Sequence, residues 1–475
     1  MSTLLFINAA LMALCIPFAI YHADGTLTNW LTSVGINAVL GAALHFATYK
    51  NAKKRKLKKR DGYLIVTLSW IVLGLSGTIP FMLTGAIPNF TDAFFESISG
   101  FTTTGATILD NIEAMPESIL FWRSIMQWIG GLGFIVLVIS ILPSLGIGGM
   151  QLFLAEVPGI TADKLKPRIQ DTAKRLWLLY IVLTLSLTGI LYGLDMSFFD
   201  AMNHALTTLA TGGYSTKQAS IAHFNSPSIE YVISFFMFLG GTSFVLLYVA
   251  FKGKVKRLWA NEEFRAYAGV TLFTVLLITG ILVINNGHPL ERAFRESLFQ
   301  VIAVLTTTGY TTTDYTAWSG AITLIFFTLM FIGGSAGSTS GGVKIVRHLI
   351  IAKNSIIEFK RQLHLSAIIP VRFNGKPVAH EVTRNILAFI IIYLTIFGIG
   401  SFALAITGMD AITAMGSVAS SLGNVGPALG ETGPAGTFSQ IPWYSKWILS
   451  ALMIVGRLEI FTVLIIFTRY FWRDT

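Results

Sequence analysis

The sequence predicts an all-α polytopic membrane protein in which two extra transmembrane helices precede four tandem helix/pore-loop/helix repeats. Three observations lead to this class. The 475 residues are 53% hydrophobic and only 12% charged, whereas a typical soluble domain has roughly 25% charged residues. About ten apolar runs approach the roughly 20 residues with which a helix crosses a bilayer. Four short, more polar segments of similar sequence recur between those runs.

The apolar runs begin at the N-terminus. Leu4 to Ile20 lacks a basic flank and a small-residue cleavage site, so we interpret it as a membrane helix rather than a signal peptide. Trp30 to Tyr49 supplies the second helix, and Tyr63 to Leu83 and Trp447 to Phe467 are two of the clearer later runs. The single cysteine, Cys15, has no partner with which to form a disulfide or a cysteine-based metal site.

The net charge of +10 is concentrated in four connections between apolar runs. These connections hold 25 of the 34 Lys and Arg residues and are Lys50–Arg60, Lys164–Arg175, Lys252–Arg265 and Lys344–Lys376. Because basic loops stay cytoplasmic, we expect all four, and both termini, on the cytoplasmic side of the inner membrane. Membrane lipid is the expected partner of the Lys53–Arg60 run. This placement argues against nucleic acid as a partner.

The four short segments share an acidic residue followed by a glycine at nearly constant distance. They read DAFFESISGFTTTGAT from Asp92, DAMNHALTTLATGGYST from Asp200, ESLFQVIAVLTTTGYTTTD from Glu296 and DAITAMGSVASSLGNVG from Asp410. Further glycines recur in the helix after each segment, at Gly130-Gly131, Gly240-Gly241, Gly333-Gly334 and Gly456. The predicted division is 1–61 for the extra helices, then repeats at 62–172, 173–264, 265–380 and 381–475.

A dozen helical residues extend only about 18 Å, so each short segment enters the membrane and turns back. Non-helical backbone at that depth needs protein or water around it, which predicts four loops around one pore. An acidic residue suits the helix N-terminus, and the negative C-terminal end then faces a cation. Further acidic residues such as Glu96 are expected opposite the basic loops, singly as helix caps or solvated carboxylates, with few bases such as Arg123.

The loops carry no charged side chain, so their carbonyl and hydroxyl oxygens are the expected ligands of a weakly hydrated monovalent cation. Glycine permits the backbone angles that such a loop needs, although any one of these glycines alone is equally explained by helix packing. The predicted ion-binding residues are Thr103, Thr104 and Gly105; Leu209, Ala210, Thr211 and Gly212; Thr307, Thr308 and Gly309; and Leu422, Gly423 and Asn424.

A gate is predicted in the second helix of the third repeat. Five glycines and four serines or threonines among the ten residues Gly333–Gly342 cannot continue a helix, so we expect a loop inside the membrane. Val343 separates Gly342 from Lys344, which excludes a Walker nucleotide site. The predicted gate residues are Gly333, Gly334, Gly337, Ser338, Gly341, Gly342, Lys344 and Arg457.

Arg457 is predicted near the middle of the last long helix. A buried intramembrane arginine usually faces a cavity or a partner. We favour a position facing the pore, where its donors hold carbonyl oxygens of the glycine-rich loop. The alternative is a pair with Glu459, although residues two apart on a helix do not face each other.

The loops ending in Thr-Thr-Thr-Gly or a relative, the Gly333–Gly342 interruption followed by Val343-Lys344, and Arg457 together resemble the TrkH/TrkG/KtrB potassium-uptake superfamily over essentially the whole chain. The two extra N-terminal helices are more similar to TrkH. The resemblance implies potassium as permeant at Thr104, Gly105, Thr211, Gly212, Thr308, Gly309, Leu422 and Gly423.

The resemblance also implies a homodimer and a TrkA-like cytosolic regulatory ring, with nucleotide (ATP/ADP or NAD) only on that ring and no covalent cofactor on this chain. Glycine at Gly105, Gly212, Gly309 and Gly423 resembles the potassium-selective pattern, whereas relatives with serine at the first position favour sodium. The fourth loop departs from the threonine-rich pattern, which predicts imperfect discrimination against sodium.

Two other functions stay open. A cation-coupled secondary symporter, carrying potassium with proton or sodium, is the alternative; it predicts inverted repeats, whereas these repeats run in parallel. An enzyme would need converging acid, base or metal-ligand side chains, and the histidines, such as His204, His348 and His364, are scattered. We therefore expect no enzymatic activity.

Overall fold

A computed structural model describes residues 1–52, 59–141, 169–364, 367 and 369–472. The N-terminal helices are α1 (Ser2–Ala13), α2 (Ile16–Tyr21) and α3 (Leu27–Ala52). Repeat 1 comprises α4 (Lys59–Leu83), α5 (Phe90–Phe101) and α6 (Glu117–Ile141), and repeat 2 comprises α7 (Ile169–Tyr192), α8 (Phe198–Leu209), α9 (Pro227–Gly240) and α10 (Phe244–Phe251). Most of the Lys53–Arg60 run, expected to meet lipid, lies outside the described residues.

A short helix, α11 (Val255–Ala260), leads into the second half of the chain. Repeat 3 comprises α12 (Glu262–Asn286), α13 (Leu290–Leu305), α14 (Gly320–Leu329) and α15 (Ile345–Leu363), and repeat 4 comprises α16 (His380–Ile406), α17 (Ala411–Gly423), α18 (Trp443–Arg457) and α19 (Phe461–Leu464), before α20 (Arg469–Trp472). Strands β1 (Arg372–Phe373) and β2 (Lys376–Pro377) pair antiparallel between α15 and α16. The predicted repeat boundaries thus fall in the first turns of α4, α7, α12 and α16.

The N-terminal helices pack on the first repeat. Helix α1 contacts α3 and α4, and α2 contacts α6. Polar contacts fix the junction: the Trp30 indole N–H donates to Ser118 Oγ at 2.9 Å, and Asp24 accepts from the Ser118 backbone N–H at 3.2 Å. The predicted membrane helix Leu4–Ile20 corresponds to one candidate span, Ser2–Tyr21, with a turn at Leu14 and Cys15 between α1 and α2.

The second helices of repeats 2, 3 and 4 are broken, which the sequence predicted only for repeat 3. Helices α9 and α10 meet at 108°, and α18 meets the residues from Phe461 to Phe467 at 109°. The predicted continuous helix Trp447–Phe467 is therefore wrong, and so is the placement of Arg457 near a helix middle. Arg457 ends α18, and Glu459 in the bend has a φ of +57°.

Candidate membrane spans follow from length and composition. Six helical segments of the described residues are long and apolar enough to cross a membrane, and eight if each bent pair counts as one. Of the ten predicted crossings, the other two correspond to α6, whose last side chains lie outside the description, and to the interrupted α14 and α15 pair.

The four repeats are arranged in a circle. Three of the four short helices pack against the second helix of the preceding repeat: α8 on α6, α13 on α9, and, closing the circle, α5 on α18. In the remaining sector, a buried cluster joins Ala419 and Val425 of repeat 4 with Phe326 and Met330 of repeat 3. The predicted arrangement of four repeats around one pore is confirmed.

Gly130 and Gly456 lie where the backbones of the second helices meet the ends of the short helices. A Cβ on Gly130 would lie 1.9 Å from the Phe101 carbonyl oxygen, and one on Gly456 would lie 2.1 Å from the Leu422 carbonyl oxygen. Since the atoms in the way are backbone atoms, no side-chain movement would relieve either clash. These glycines set how closely the second helices approach the loops.

Gly130→Ala is expected to lower the stability of the protein by about 1–3 kcal/mol, the usual range for overpacking a buried contact. Gly189→Ala on α7 is the control, because no atom lies within 4 Å of its added Cβ. Thermal unfolding of the purified protein in detergent measures both. Equal melting temperatures for the two variants would contradict the close-packing role of Gly130.

Candidate functional site

The four loops that follow the short helices share one backbone conformation. In each loop, a residue with positive φ is followed by one residue with negative φ and then by a glycine with positive φ. The pairs are Thr103 (+54°) and Gly105 (+81°), Thr211 (+52°) and Gly213 (+77°), Thr307 (+57°) and Gly309 (+74°), and Asn424 (+54°) and Gly426 (+101°). Glycine at the second position avoids the cost of this region for residues with a Cβ.

The structure thereby aligns the loops differently from the sequence spacing. Gly105 and Gly309 occupy the predicted position, but their counterparts are Gly213 and Gly426 instead of Gly212 and Gly423. Gly212 corresponds to Thr104, and Gly423 is the last residue of α17. Loop 2 offers two consecutive glycines, of which Gly213 lies 13 residues after Asp200, as Gly105 does after Asp92. Counting from the acidic residue fails only for loop 4, because α17 ends later relative to Asp410 than the other short helices do relative to theirs.

Close backbone contacts join the loops in a closed ring. A Cβ added to Gly105 would lie 2.1 Å from the Gly212 carbonyl oxygen, and one added to Gly213 would lie 1.8 Å from the Thr308 carbonyl oxygen. A Cβ added to Gly309 would lie 2.1 Å from the Val425 carbonyl oxygen, and one added to Gly426 would lie 2.6 Å from the Thr104 carbonyl oxygen. Each loop therefore meets its neighbours in the order 1, 2, 3, 4 and back to 1. The carbonyls of Thr104, Gly212, Thr308 and Val425 are equivalent members of this ring.

The same four glycines line one cavity. Gly105, Gly213, Gly309 and Gly426 share it with polar side chains that include Arg123, Lys217 and Gln218. Of the residues predicted to bind ions, Thr103, Thr104, Leu209, Ala210, Thr211, Thr307, Thr308, Leu422, Gly423 and Asn424 are fully buried at the ring. The structure thus brings the loop residues of all four repeats together.

Side chains brace the ring in ways that the loop sequences only partly signal. In loops 1 and 3 the hydroxyls of Thr102 and Thr104, and of Thr306 and Thr308, lie 2.8 Å apart. Loop 4 reaches loop 1 through Asn424, whose amide N–H donates to Thr104 Oγ1 at 2.9 Å.

Two tyrosines that sequence reasoning missed connect neighbouring repeats. The Tyr214 hydroxyl donates to the Glu96 carbonyl at 2.9 Å, and the Tyr310 hydroxyl donates to the His204 carbonyl at 3.2 Å. Each tyrosine directly follows a positive-φ glycine and reaches the short helix of the preceding repeat. The recurrent Gly-Tyr pair in loops 2 and 3 was the available signal.

Three of the four acidic residues lie at the start of a short helix, as the sequence suggests: Asp92 and Asp200 in the first turns of α5 and α8, and Asp410 at the N-cap of α17. Asp410 accepts from the backbone N–H of Ile412 at 2.9 Å and of Thr413 at 3.0 Å. Hydrogen bonds from Thr413 and then Ile412 lower the pKa of the Asp410 carboxyl. Glu296 is the exception, since it lies in the middle of α13, which begins at Leu290.

Glu96 is neither a cap nor a solvated carboxylate, so that expectation was wrong. It is fully buried and pairs with Arg123, whose Nε lies 2.9 Å from Glu96 Oε1. Arg123 also donates to the Ser215 carbonyl at 3.2 Å and lies over the Tyr214 ring. This buried pair connects α5 and α6 with the end of loop 2.

The glycine-rich segment Gly333–Gly342 is a loop between α14 and α15, as predicted, and lies against the ring. The Gly341 backbone N–H donates to Thr307 Oγ1 at 2.7 Å, and a Cβ on Gly341 would lie 2.5 Å from the Gly423 oxygen. The Thr339 hydroxyl lies 2.9 Å from the Leu209 carbonyl oxygen and 3.1 Å from that of Gly240. The segment thus contacts three of the four repeats.

Arg457 holds this segment as the sequence predicted. Its guanidinium donates to the Thr339 carbonyl at 2.8 Å and to the Gly130 carbonyl at 2.9 Å. Glu459, the alternative partner, pairs instead with Arg347. Lys344 donates to the Ser340 carbonyl within the same segment, and Glu263 accepts from the Ala336 backbone N–H at 2.6 Å.

No group of three metal-ligating side chains of His, Cys, Asp or Glu occurs within the part of the chain that the structure describes. His204, which the sequence analysis noted, lies with its ring nitrogens 2.8 Å from the Asp200 carbonyl oxygen and 2.9 Å from Ser215 Oγ. Its contacts are structural ones that join α8 to the end of loop 2.

Comparison with known proteins agrees with this geometry. The profile of the TrkH family, described as cation transport protein, matches residues 28–473. The chain is 39% identical to the Trk system potassium uptake protein TrkH of Escherichia coli K12, covering 96% of this chain and 94% of that one. It is 38% identical to TrkH of Halomonas elongata, covering 96% and 95%.

A solved structure is similar along the whole fold. The crystal structure of the potassium transporter TrkH from Vibrio parahaemolyticus superimposes with a TM-score of 0.90 at 36% identity, covering 99% of this chain and 98% of that chain. The chain belongs to the TrkH family of membrane-embedded, multi-pass cation transport proteins.

Proposed function

We propose that the protein takes up potassium across the inner membrane through a channel-like pore, with the four-loop ring as its selectivity filter. The observation that carries the proposal is the closed ring of equivalent backbone carbonyls, reached by four loops without a charged side chain. Such oxygens replace the hydration shell of potassium. Relatives named for potassium uptake support the choice of ion.

The proposed filter includes the predicted positions Thr104, Gly105, Thr211, Gly212, Thr308, Gly309, Leu422 and Gly423, to which the loop geometry adds Gly213, Val425 and Gly426. Four short helices end at these loops, so the negative ends of their dipoles favour a cation there. Uncharged oxygens with this dipole field bind an ion weakly enough to release it. Uncharged oxygens and helix dipoles together therefore favour conduction of the cation rather than its tight binding.

The proposed gate is the glycine-rich segment together with Arg457 and Lys344. The segment contacts the ring directly, and a fully buried guanidinium beside it opposes a cation electrostatically. The five glycines of the segment give its backbone local freedom, since glycine adopts conformations closed to other residues. The contacts described above therefore correspond to a closed pore.

Partners and orientation belong to the same proposal. The resemblance of the chain to TrkH supports a homodimer and a TrkA-like cytosolic ring that binds nucleotide. The basic connections support cytoplasmic termini.

Potassium symport with proton or sodium is the second candidate. Potassium uptake into vesicles with and without an inward gradient of each coupling ion distinguishes the two, because a channel-like pore requires neither gradient.

Gly105→Ser is expected to lower the preference for potassium over sodium. A Cβ at Gly105 would lie 2.1 Å from the Gly212 oxygen, and its φ of +81° disfavours a side chain, so the ring must deform. A fall of about tenfold corresponds to about 1.4 kcal/mol. The measurement is competitive uptake of rubidium and sodium by reconstituted protein, with Gly189→Ala as control. An unchanged ratio would refute the filter assignment.

Arg457→Ala is expected to raise potassium uptake several-fold, because it removes a buried positive charge and the hydrogen bond to the Thr339 carbonyl. Arg469→Ala is the matched control, since Arg469 is exposed in the last short helix. Rubidium influx into vesicles holding equal amounts of folded protein provides the measurement. Unchanged or lower influx in a folded Arg457→Ala protein would count against the gate.

A further inference from the structure

We infer that Gln127 is a positioning residue that sets the cation selectivity of the second filter loop, an inference that rests on the proposed function. The side chain of Gln127 is fully buried on α6. Its amide N–H donates to the Gly212 carbonyl at 2.7 Å, and its amide oxygen accepts from the Tyr214 backbone N–H at 3.0 Å. Gln127 belongs to repeat 1, whereas both backbone groups belong to loop 2.

Loop 2 needs an external brace because its own sequence provides none. Loops 1 and 3 hold the ring residue through paired threonine hydroxyls, Thr102 with Thr104 and Thr306 with Thr308. The two equivalent positions in loop 2 are Ala210 and Gly212, which have no side-chain hydroxyl. Gly212 and Gly213 are also consecutive glycines, and two glycines give a peptide more rotational freedom than a threonine and a glycine.

Gly212 is adapted to Gln127 sterically. An added Cβ at Gly212 would lie 2.4 Å from Gln127 Cδ, 2.5 Å from Oε1 and 2.9 Å from Nε2. Unlike Gly213, Gly212 does not have a positive φ. The space taken by the Gln127 amide therefore explains the glycine at this position, where loops 1 and 3 have threonine.

A second contact strengthens this face of α6. Arg123, one helical turn before Gln127, donates to the Ser215 carbonyl at 3.2 Å and lies over the Tyr214 ring. Together the two side chains hold the backbone of loop 2 from Gly212 to Ser215. Arg123 touches the end of the loop, whereas Gln127 alone of the two contacts a carbonyl of the ring.

The consequence concerns the ligand field of the ion. Selectivity between potassium and sodium depends on the size, number and field strength of the carbonyl ligands. The Gln127 bond fixes the orientation of the Gly212 peptide and engages part of its carbonyl oxygen. Without that bond the Gly212 oxygen would be free to move toward a smaller ion, which favours sodium.

The test is a double-mutant cycle between Gln127→Ala and Gly212→Ala, read as the ratio of rubidium to sodium uptake by the reconstituted full-length protein. Each single variant is expected to lower the ratio about threefold or more, within the range of coupled neighbours. Gly212→Ala does so because its methyl group displaces the amide. In the Gln127→Ala background, Gly212→Ala is expected to have no further effect.

Two more variants separate positioning from a general loss of structure. Gln127→Met keeps the approximate length of the side chain, but its thioether cannot donate to the Gly212 carbonyl, so the ratio is expected to fall. Ser124→Ala is the control, since Ser124 is buried on the same helix and, among the residues that the structure describes, its hydroxyl donates only to the Leu120 carbonyl, at 3.2 Å. Its ratio is expected to match the unsubstituted protein.

The outcomes distinguish this inference from the proposed function. Loss of potassium preference in Gly105→Ser, with an unchanged ratio in Gln127→Ala and Gln127→Met, would overturn the role of Gln127 and leave the filter intact. If the double variant lowers the ratio of rubidium to sodium uptake by the product of the two single effects, Gln127 and Gly212 act independently, and the role of Gln127 is overturned as well. Failure of the unsubstituted protein to take up rubidium would instead refute the proposed function.

Discussion

The strongest constraint in this structure is the short distance between the backbones of neighbouring loops. At each of the four junctions a glycine Cα faces the carbonyl oxygen of the next loop, and a Cβ would approach that oxygen to 2.6 Å or less. A carbon atom does not approach a carbonyl oxygen so closely without repulsion. The four glycines therefore determine how small the ring is. The second helices follow the same constraint, because Gly130 and Gly456 let them reach the helix ends behind the loops.

The backbone of the ring is nearly fourfold, but its support is not. Paired threonines brace loops 1 and 3, Gln127 braces loop 2, and loop 4 combines Val425 with an asparagine that reaches Thr104. A single chain with four different repeats can place a different side chain behind each loop, which four identical subunits cannot do. The carbonyl positions can thus be equivalent while their stiffness differs from loop to loop.

Sequence reasoning reached the repeats, the interrupted helix at Gly333–Gly342 and the contact between Arg457 and the glycine-rich loop, because each depends on local composition or on the cost of a buried charge. It failed on the register of loops 2 and 4, where the backbone angles identify Gly213 and Gly426. Loop 2 is ambiguous because it has two consecutive glycines, and α17 ends later after its acidic residue than the other short helices do. It also missed the bend after Gly240, which no proline marks, and the pair of Glu96 with Arg123, which lie 27 residues apart.

The glycine-rich segment proposed as the gate is connected to the ring through helix-end carbonyls. Leu209 and Gly240 end α8 and α9, and the last carbonyls of a helix have no partner within it. In this structure the Thr339 hydroxyl lies against both of these oxygens, and Arg457 holds the Thr339 carbonyl from the other side. Withdrawal of the glycine-rich loop would uncover the two oxygens and their negative helix ends. Opening would therefore clear the path sterically and, by the same movement, make it more attractive to a cation.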